Sequence, residues 1–173
     1  MNKRDFLSVL DFSPEDIHSV LSRATELKRG GTSQALAGKN VAMLYEKPSL
    51  RTRVSFDVGV KQLGGHAIYL GRDEVGLGGR ESVSDVARVL SRYVDAIVAR
   101  TYAHTTLDEL ATHASIPVIN ALSDVEHPCQ ALGDLLTIEE RFGKLAGVTI
   151  AFIGDGNNVA ASLALAAASV SAN

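Results

Sequence analysis

The sequence predicts an α/β protein, a parallel sheet flanked by helices, followed by the opening of a second α/β domain. Three observations lead there. Four short apolar runs read as strands: Val41 to Tyr45, His66 to Leu70, Ala96 to Ala99 and Pro117 to Ala121. Helical patterns separate them, and strand alternating with helix argues for βαβ units and a sheet covered on both faces. A fifth apolar run, Val148 to Ile153, follows the connector Lys144-Leu145-Ala146-Gly147 and leads through Asp155-Gly156-Asn157-Asn158 into an alanine-rich helix. Residues 1–147 are therefore expected to form one domain, its last helix near 128–142 linking onward, and residues 148–173 an incomplete start of the next.

The elements follow in order from local signals. Ser13-Pro14-Glu15-Asp16 has the form of a capping box with proline at the first helical position, and Ile17, Val20, Leu21, Ala24 and Leu27 continue at helical spacing until Gly30-Gly31. Further helices are expected over Ser49 to Leu63, Ser82 to Tyr93, Thr106 to His113 and Pro128 to Phe142. Ser82 with Asp85, and Thr106 with Glu109, suggest capped starts for two of them. In the first, Leu50, Val54 and Val58 form one apolar stripe and Phe56, Val60 and Leu63 another, so that helix is expected to be buried on most sides.

Composition narrows the class of function. With 173 residues, 46% hydrophobic content and a net charge of -3, the chain can bury a full core and presents no broad basic field for nucleic acid or anionic membrane. Any anion site must be local. Cys129 is the single cysteine, which excludes an intrachain disulfide and a cysteine-rich zinc site. No metal or cofactor is expected. The first residues meet Asp5, Asp11, Glu15 and Asp16 too soon for a signal peptide or membrane span, so a cytoplasmic protein is expected.

The stretch Lys47-Pro48-Ser49-Leu50-Arg51-Thr52-Arg53 puts its charges on the wrong end of a helix. Helix starts carry partial positive charge, and each cation placed there costs roughly 0.3–1 kcal/mol unless an anion is bound. Free N–H groups at such a start suit a phosphate. Arg100 follows the third strand on the same carboxyl edge, where a guanidinium can grip phosphate and carbonyl oxygens together. His127-Pro128-Cys129-Gln130 opens a helix after the fourth strand. His127, Gln130 and Asp134 share one stripe of it, opposite Cys129, Leu132 and Leu136. Cys129 reads as a small core residue, and His18, His104 and His113 as histidines bonded to backbone. Together the three motifs make a convergent site of hydroxyls, guanidinia, imidazole and amide, suited to holding a phosphorylated small molecule and stabilising charge on its oxygens.

Ser49-Leu50-Arg51-Thr52-Arg53, Arg100-Thr101-Tyr102 and His127-Pro128-Cys129-Gln130 together resemble the signature of the aspartate and ornithine carbamoyltransferase family. Asn120-Ala121-Leu122-Ser123-Asp124, Cys129 within its motif and Gly154-Asp155-Gly156-Asn157-Asn158 resemble the ornithine branch. The resemblance implies that Ser49, Arg51, Thr52 and the Leu50 N–H bind the phosphate of carbamoyl phosphate. It implies that Arg100 bridges phosphate and carbonyl oxygen, that His127 bonds the carbonyl oxygen and that Gln130 holds the carbamoyl amide, with Arg100 and His127 as the catalytic pair. Arg53 is implied to be a structural ion-pair partner, and Asn158 to contact L-ornithine. A homotrimer, or a multiple of trimers, is implied, with the loop Val75-Gly76-Leu77-Gly78-Gly79 reaching a neighbour's site and Gly76 contacting carbamoyl phosphate. Leu50 and Gly76 replace the threonine and glutamine of many relatives, and the family's remaining ornithine contacts fall past Asn173. The implied reaction is carbamoyl transfer to the ornithine δ-amine in arginine metabolism, with this stretch alone binding carbamoyl phosphate without turnover.

Rival readings remain at this level. Putrescine or a modified ornithine could be the acceptor, and the chain could be a non-catalytic phosphate-binding or assembly module. Ile153-Gly154-Asp155-Gly156 suggests a dinucleotide loop, but Val159 stands where the third glycine belongs.

Overall fold

The computed structural model describes residues 3–77 and 79–173. In chain order the elements are α1 (Pro14–Lys28), β1 (Asn40–Tyr45), α2 (Leu50–Gln62), β2 (His66–Gly71), α3 (Arg72–Val75), α4 (Val83–Leu90), β3 (Ala96–Arg100), α5 (His104–His113), β4 (Val118–Leu122), α6 (Pro128–Phe142) and α7 (Asn158–Ser169). The four strands form one sheet in the order β2-β1-β3-β4, parallel throughout. The chain leaves β1 toward one edge and β3 toward the other. The carboxyl ends of these two central strands therefore flank the point where strand order reverses, the place at which open parallel sheets bind ligands.

Helices cover both faces, so the strands are apolar without alternation. Ala42, Leu44, Ile97, Ala99 and Val118 pack with Leu107 and Leu110 of α5, and with Val86 and Ala87 of α4. Val41, Met43, Tyr45 and Val98 point the other way and pack with Val60 of α2. A third cluster joins Ile17 and Leu21 of α1, Ala131 and Leu135 of α6, and Ala166 of α7. The N-terminal segment runs beside β4: the Phe6 N–H donates to the Val118 carbonyl at 2.9 Å, and the Asn120 N–H to the Phe6 carbonyl at 2.8 Å. The exposed edge of the sheet is thereby covered.

Ser13 and Ser82 cap their helices as expected, and Ser49, expected inside α2, proves to be its cap. Several expectations fail, each for a physical reason. Helix α5 begins at His104 rather than Thr106, and its start is held by a distant residue: the His104 N–H donates to Asp124 Oδ1 at 2.7 Å. Helix α4 ends at Leu90, and a turn carries the chain to Tyr93. Residues 148–153 are extended but form no strand among the described residues. No neighbouring strand pairs with them, and they bond to the last residue instead, with the Ile150 N–H donating to the Asn173 carbonyl and the Asn173 N–H to that of Val148. Ile153 is 96% exposed. On α2 the first apolar stripe faces outward, with Leu50 78% exposed and Val54 and Val58 also exposed. Gly78 of the glycine-rich loop, like Met1 and Asn2, lies outside the described residues. No helix is long and apolar enough to cross a membrane among the described residues.

Candidate functional site

A cleft of about 480 Å³ opens at the carboxyl edge of the sheet, between the start of α2 and the ends of β3 and β4. It is lined by Ser49, Arg51, Thr52, Ser55 and Phe56 from the start of α2, Arg100 and Leu122 from two strand ends, and His127, Cys129 and Gln130 from the start of α6. Two arginines and a histidine thus share a lining that contains no carboxylate. Every expected polar contributor except the Leu50 backbone, Gly76 and Asn158 lines it.

Each wall has a local cause. Ser49 is the N-cap of α2, its Oγ accepting the Thr52 N–H at 3.3 Å, and the first turn holds no acid. The helix start thus turns the positive end of its dipole toward the cleft edge, while Leu50 is exposed to solvent. Arg100 lies directly across the β1–β3 ladder from Tyr45. A register shift between Ala99 and Arg100 on the β4 side turns the strand end locally. Its Nη1 reaches Thr52 Oγ1 at 3.5 Å, while its buried Nε has no partner among the described residues. Burial pulls this guanidinium below the usual arginine range.

His127 precedes α6 as its N-cap, and its N–H donates to Ser162 Oγ of α7 at 2.8 Å. Its buried Nδ1 has no partner among the described residues, so the ring is not the backbone-bonded histidine that a simple helix cap would give. Burial first, and then the positive charge of Arg100, bring it down from 6.5 to about 4, against an opposing pull from Asp134. At neutral pH the imidazole is uncharged and offers a hydrogen bond rather than a cation. A native histidine depressed in this way binds fewer protons than the unfolded chain as pH falls. The stabilisation present above pH 6.5 is therefore lost as pH falls toward 4. In urea titrations across that window, wild type should lose more stability than His127→Gln, and equal losses would contradict the depressed value.

Gln130 donates from Nε2 to Asp134 Oδ1 at 2.9 Å, fixing its amide as the helical stripe predicts. The core stripe of α6 is set by Ala131 and Leu135, with Leu132 and Leu136 only partly buried. Cys129 is neutral and inert. Burial pushes its thiol up to about 12, and its S–H donates to the Asn120 carbonyl at 3.3 Å.

Other expectations shift. Arg53 has no ion pair among the described residues and instead stacks on the Tyr69 ring at 3.8 Å, which lets a guanidinium sit against an apolar surface. His104 and His113 meet side chains, Ser123 Oγ at 2.8 Å and the Arg88 guanidinium at 3.2 Å, rather than backbone. Gly76 does not line the cleft; it ends α3 with φ +62 and accepts the Arg80 N–H at 2.8 Å. Asn158 opens α7 and donates from Nδ2 to the Ser123 carbonyl. Ser55, Phe56 and Leu122 line the cleft although the sequence reading gives none of them a place in the site. Ser55 sits three and four residues from Thr52 and Arg51, a spacing that puts it on their helix face.

Residues 4–140 match the profile of the aspartate/ornithine carbamoyltransferase carbamoyl-P binding domain. The chain belongs to the aspartate/ornithine carbamoyltransferase family. Among relatives, the ornithine carbamoyltransferase of Haloquadratum walsbyi is 53% identical over 166 residues, 96% of this chain and 55% of the relative. That of Bacillus subtilis is 54% identical over 165 residues, 95% of this chain and 52% of the relative. The crystal structure of the Thermus thermophilus ornithine carbamoyltransferase aligns with a TM-score of 0.94 at 47% identity, covering 99% of this chain and 60% of that one. The Pyrococcus furiosus ornithine carbamoyltransferase aligns at 0.92 and 48%, covering 96% and 55%. The chain spans about half the length of the curated relatives it matches. The parallel four-stranded sheet with flanking helices is thus the family's carbamoyl-P binding fold.

Proposed function

We propose that this chain supplies the carbamoyl-phosphate half of an enzyme that transfers the carbamoyl group to the δ-amine of L-ornithine, giving L-citrulline and phosphate in arginine biosynthesis. The observation that carries it is the carboxylate-free cleft in which Arg51, Arg100 and the uncharged His127 meet the start of α2. The names of the relatives favour ornithine over putrescine or a modified ornithine as acceptor.

In this reading Ser49, Arg51, Thr52 and the Leu50 amide hold the phosphate, and Gln130 holds the carbamoyl NH₂ through its free Oε1. Arg100 spans phosphate and carbonyl oxygen. As the amine nitrogen bonds to the carbamoyl carbon, negative charge develops on that oxygen, where Arg100 and an imidazole N–H of His127 stabilise it. The carbon–oxygen bond to phosphate then breaks, its electrons leaving on the phosphate, which also takes the proton that the attacking nitrogen gives up. Asn158, at the start of α7, faces the acceptor, with residues 1–147 as one domain and residues 148–173 as the beginning of the ornithine domain. The protein acts in the cytoplasm as a homotrimer or a multiple of trimers, with the loop around Gly76 reaching a neighbouring copy's site. The outward stripe Leu50, Val54 and Val58 supports association between copies.

Phosphate binding is tested by thermal melts in phosphate and in chloride at matched ionic strength. A ligand that binds only the folded state stabilises it by RT ln(1 + [L]/Kd), about 2.7 kcal/mol at a hundredfold excess over Kd. Wild type should shift upward in phosphate, and Arg51→Met should lose most of the shift. Equal shifts in the two proteins would sink the anion site.

A further inference from the structure

Beneath the cleft, Glu126 is 5% exposed and Ser162 fully buried, neither having a part in the reaction described above. One carboxylate oxygen of Glu126 accepts from Ser8 Oγ at 2.6 Å; the other accepts from the Val9 N–H at 3.2 Å and from Ser162 Oγ at 3.0 Å. Ser162 Oγ in turn accepts the His127 N–H at 2.8 Å. A single buried carboxylate thus ties together the N-terminal turn, the loop before α6 and the body of α7.

We propose that Glu126 and Ser162 are positioning residues for His127. They act through the chain His127 N–H to Ser162 Oγ to Glu126, and they link the seat of the imidazole to the placement of α7. The inference rests on the proposed function, since it takes His127 as the donor to the carbamoyl oxygen.

The energetic argument is one of alternatives. His127 ends its loop at φ −134, ψ 67, outside the helix it caps, and its Nδ1 has no partner among the described residues that would orient the ring. The orientation of the ring must come from its backbone, and the one bond its N–H makes is to Ser162. A serine hydroxyl that can rotate is a poor anchor alone. Donating to a buried carboxylate fixes its rotor and strengthens the bond it accepts, as successive hydrogen bonds polarise one another. Because α7 carries both Ser162 and Asn158, a displacement of this helix moves the anchor of the imidazole together with the acceptor contact.

The test separates positioning from stability by using two ligands. Inorganic phosphate reaches only the α2 and Arg100 side of the cleft, whereas carbamoyl phosphate also needs His127. Isothermal titration should show Ser162→Ala and Glu126→Gln weakening carbamoyl phosphate about three- to tenfold, the usual worth of one hydrogen bond, while leaving inorganic phosphate nearly unchanged. Unchanged phosphate affinity also establishes that each variant is folded. In a His127→Ala background, Ser162→Ala should add no further loss, because the two act as one unit. Parallel losses for both ligands, or additive losses in the double variant, would overturn the proposal. If wild type binds neither ligand, the functional reading fails. The positioning role is then decided by NMR couplings of the His127 side chain, which should report one rotamer in wild type and averaging in both variants. Unchanged couplings would overturn it.

Discussion

The 173-residue chain should bind carbamoyl phosphate and yet release no citrulline above the uncatalysed rate. Binding requires the cleft, and every residue that lines it falls within residues 49–130. Turnover asks for more. Holding an acceptor against its electrophile is worth roughly 7–11 kcal/mol of barrier through effective molarity. Asn158, the acceptor contact that the proposed function draws from this chain, already gives its amide nitrogen to the Ser123 carbonyl. The ornithine δ-amine, with a pKa near that of lysine at about 10.4, must also lose a proton before it attacks. His127 at about 4 is far too weak a base to take it, and no carboxylate lines the cleft. A citrulline assay at saturating ornithine, on protein whose carbamoyl-phosphate affinity has been measured by titration, would check both halves. Robust turnover would mean that the acceptor site lies among these residues after all.

A second large effect is expected at Arg100. With this half joined to the second domain of an active relative such as the Bacillus subtilis enzyme, Arg100→Met should lower kcat by about 10²–10³, the usual cost of removing one preorganised donor from a developing oxyanion. Its guanidinium sits at the end of a central strand, with Nε buried and unpartnered among the described residues and Nη1 only loosely engaged by Thr52. Little has to be broken for it to turn to a ligand. Arg53→Lys is the comparison. It replaces a guanidinium stacked on Tyr69 and should affect stability more than kcat. Similar kcat values for wild type and Arg100→Met at saturating substrates would reject the role.

The parts of the site legible in the sequence were those written in local chemistry. Arg51 and Arg53 without an acid at a helix start, Arg100 after a strand and the proline after His127 each signal their place through neighbours a few residues away. The apolar runs marked all four strands because both faces of a parallel sheet are buried. What failed depended on distant partners. Asp124 holds the start of α5 from twenty residues further along the chain, whereas the local pattern of Thr106 with Glu109 suggests a cap that the helix does not use. Nothing beside Glu126 in the sequence marks it for the site, because its partners Ser8 and Ser162 are far away along the chain. The stripe Leu50, Val54 and Val58 has the spacing of a core face, and periodicity alone cannot say which side of a helix meets the core. Residues 148–153 have strand composition, but a strand needs a ladder, and among the described residues Val148 and Ile150 bond only to Leu145 and Asn173.

The N-terminal segment on the flank of β4 also fixes an order of events during synthesis. Phe6 leaves the ribosome early, but its partners Val118 and Asn120 follow more than a hundred residues later, and β1 must likewise wait for β3 before it has a neighbour on both sides. Closing such long loops is slow because their entropy is spent before any contact repays it. Val9 can pack early on Ile17 and Leu21 of α1, but until β4 and the loop after it are made Phe6 lacks the backbone of Val118 and Asn120, and Ser8 lacks the carboxylate of Glu126. These bonds therefore form only after more than a hundred further residues have been added beyond Phe6.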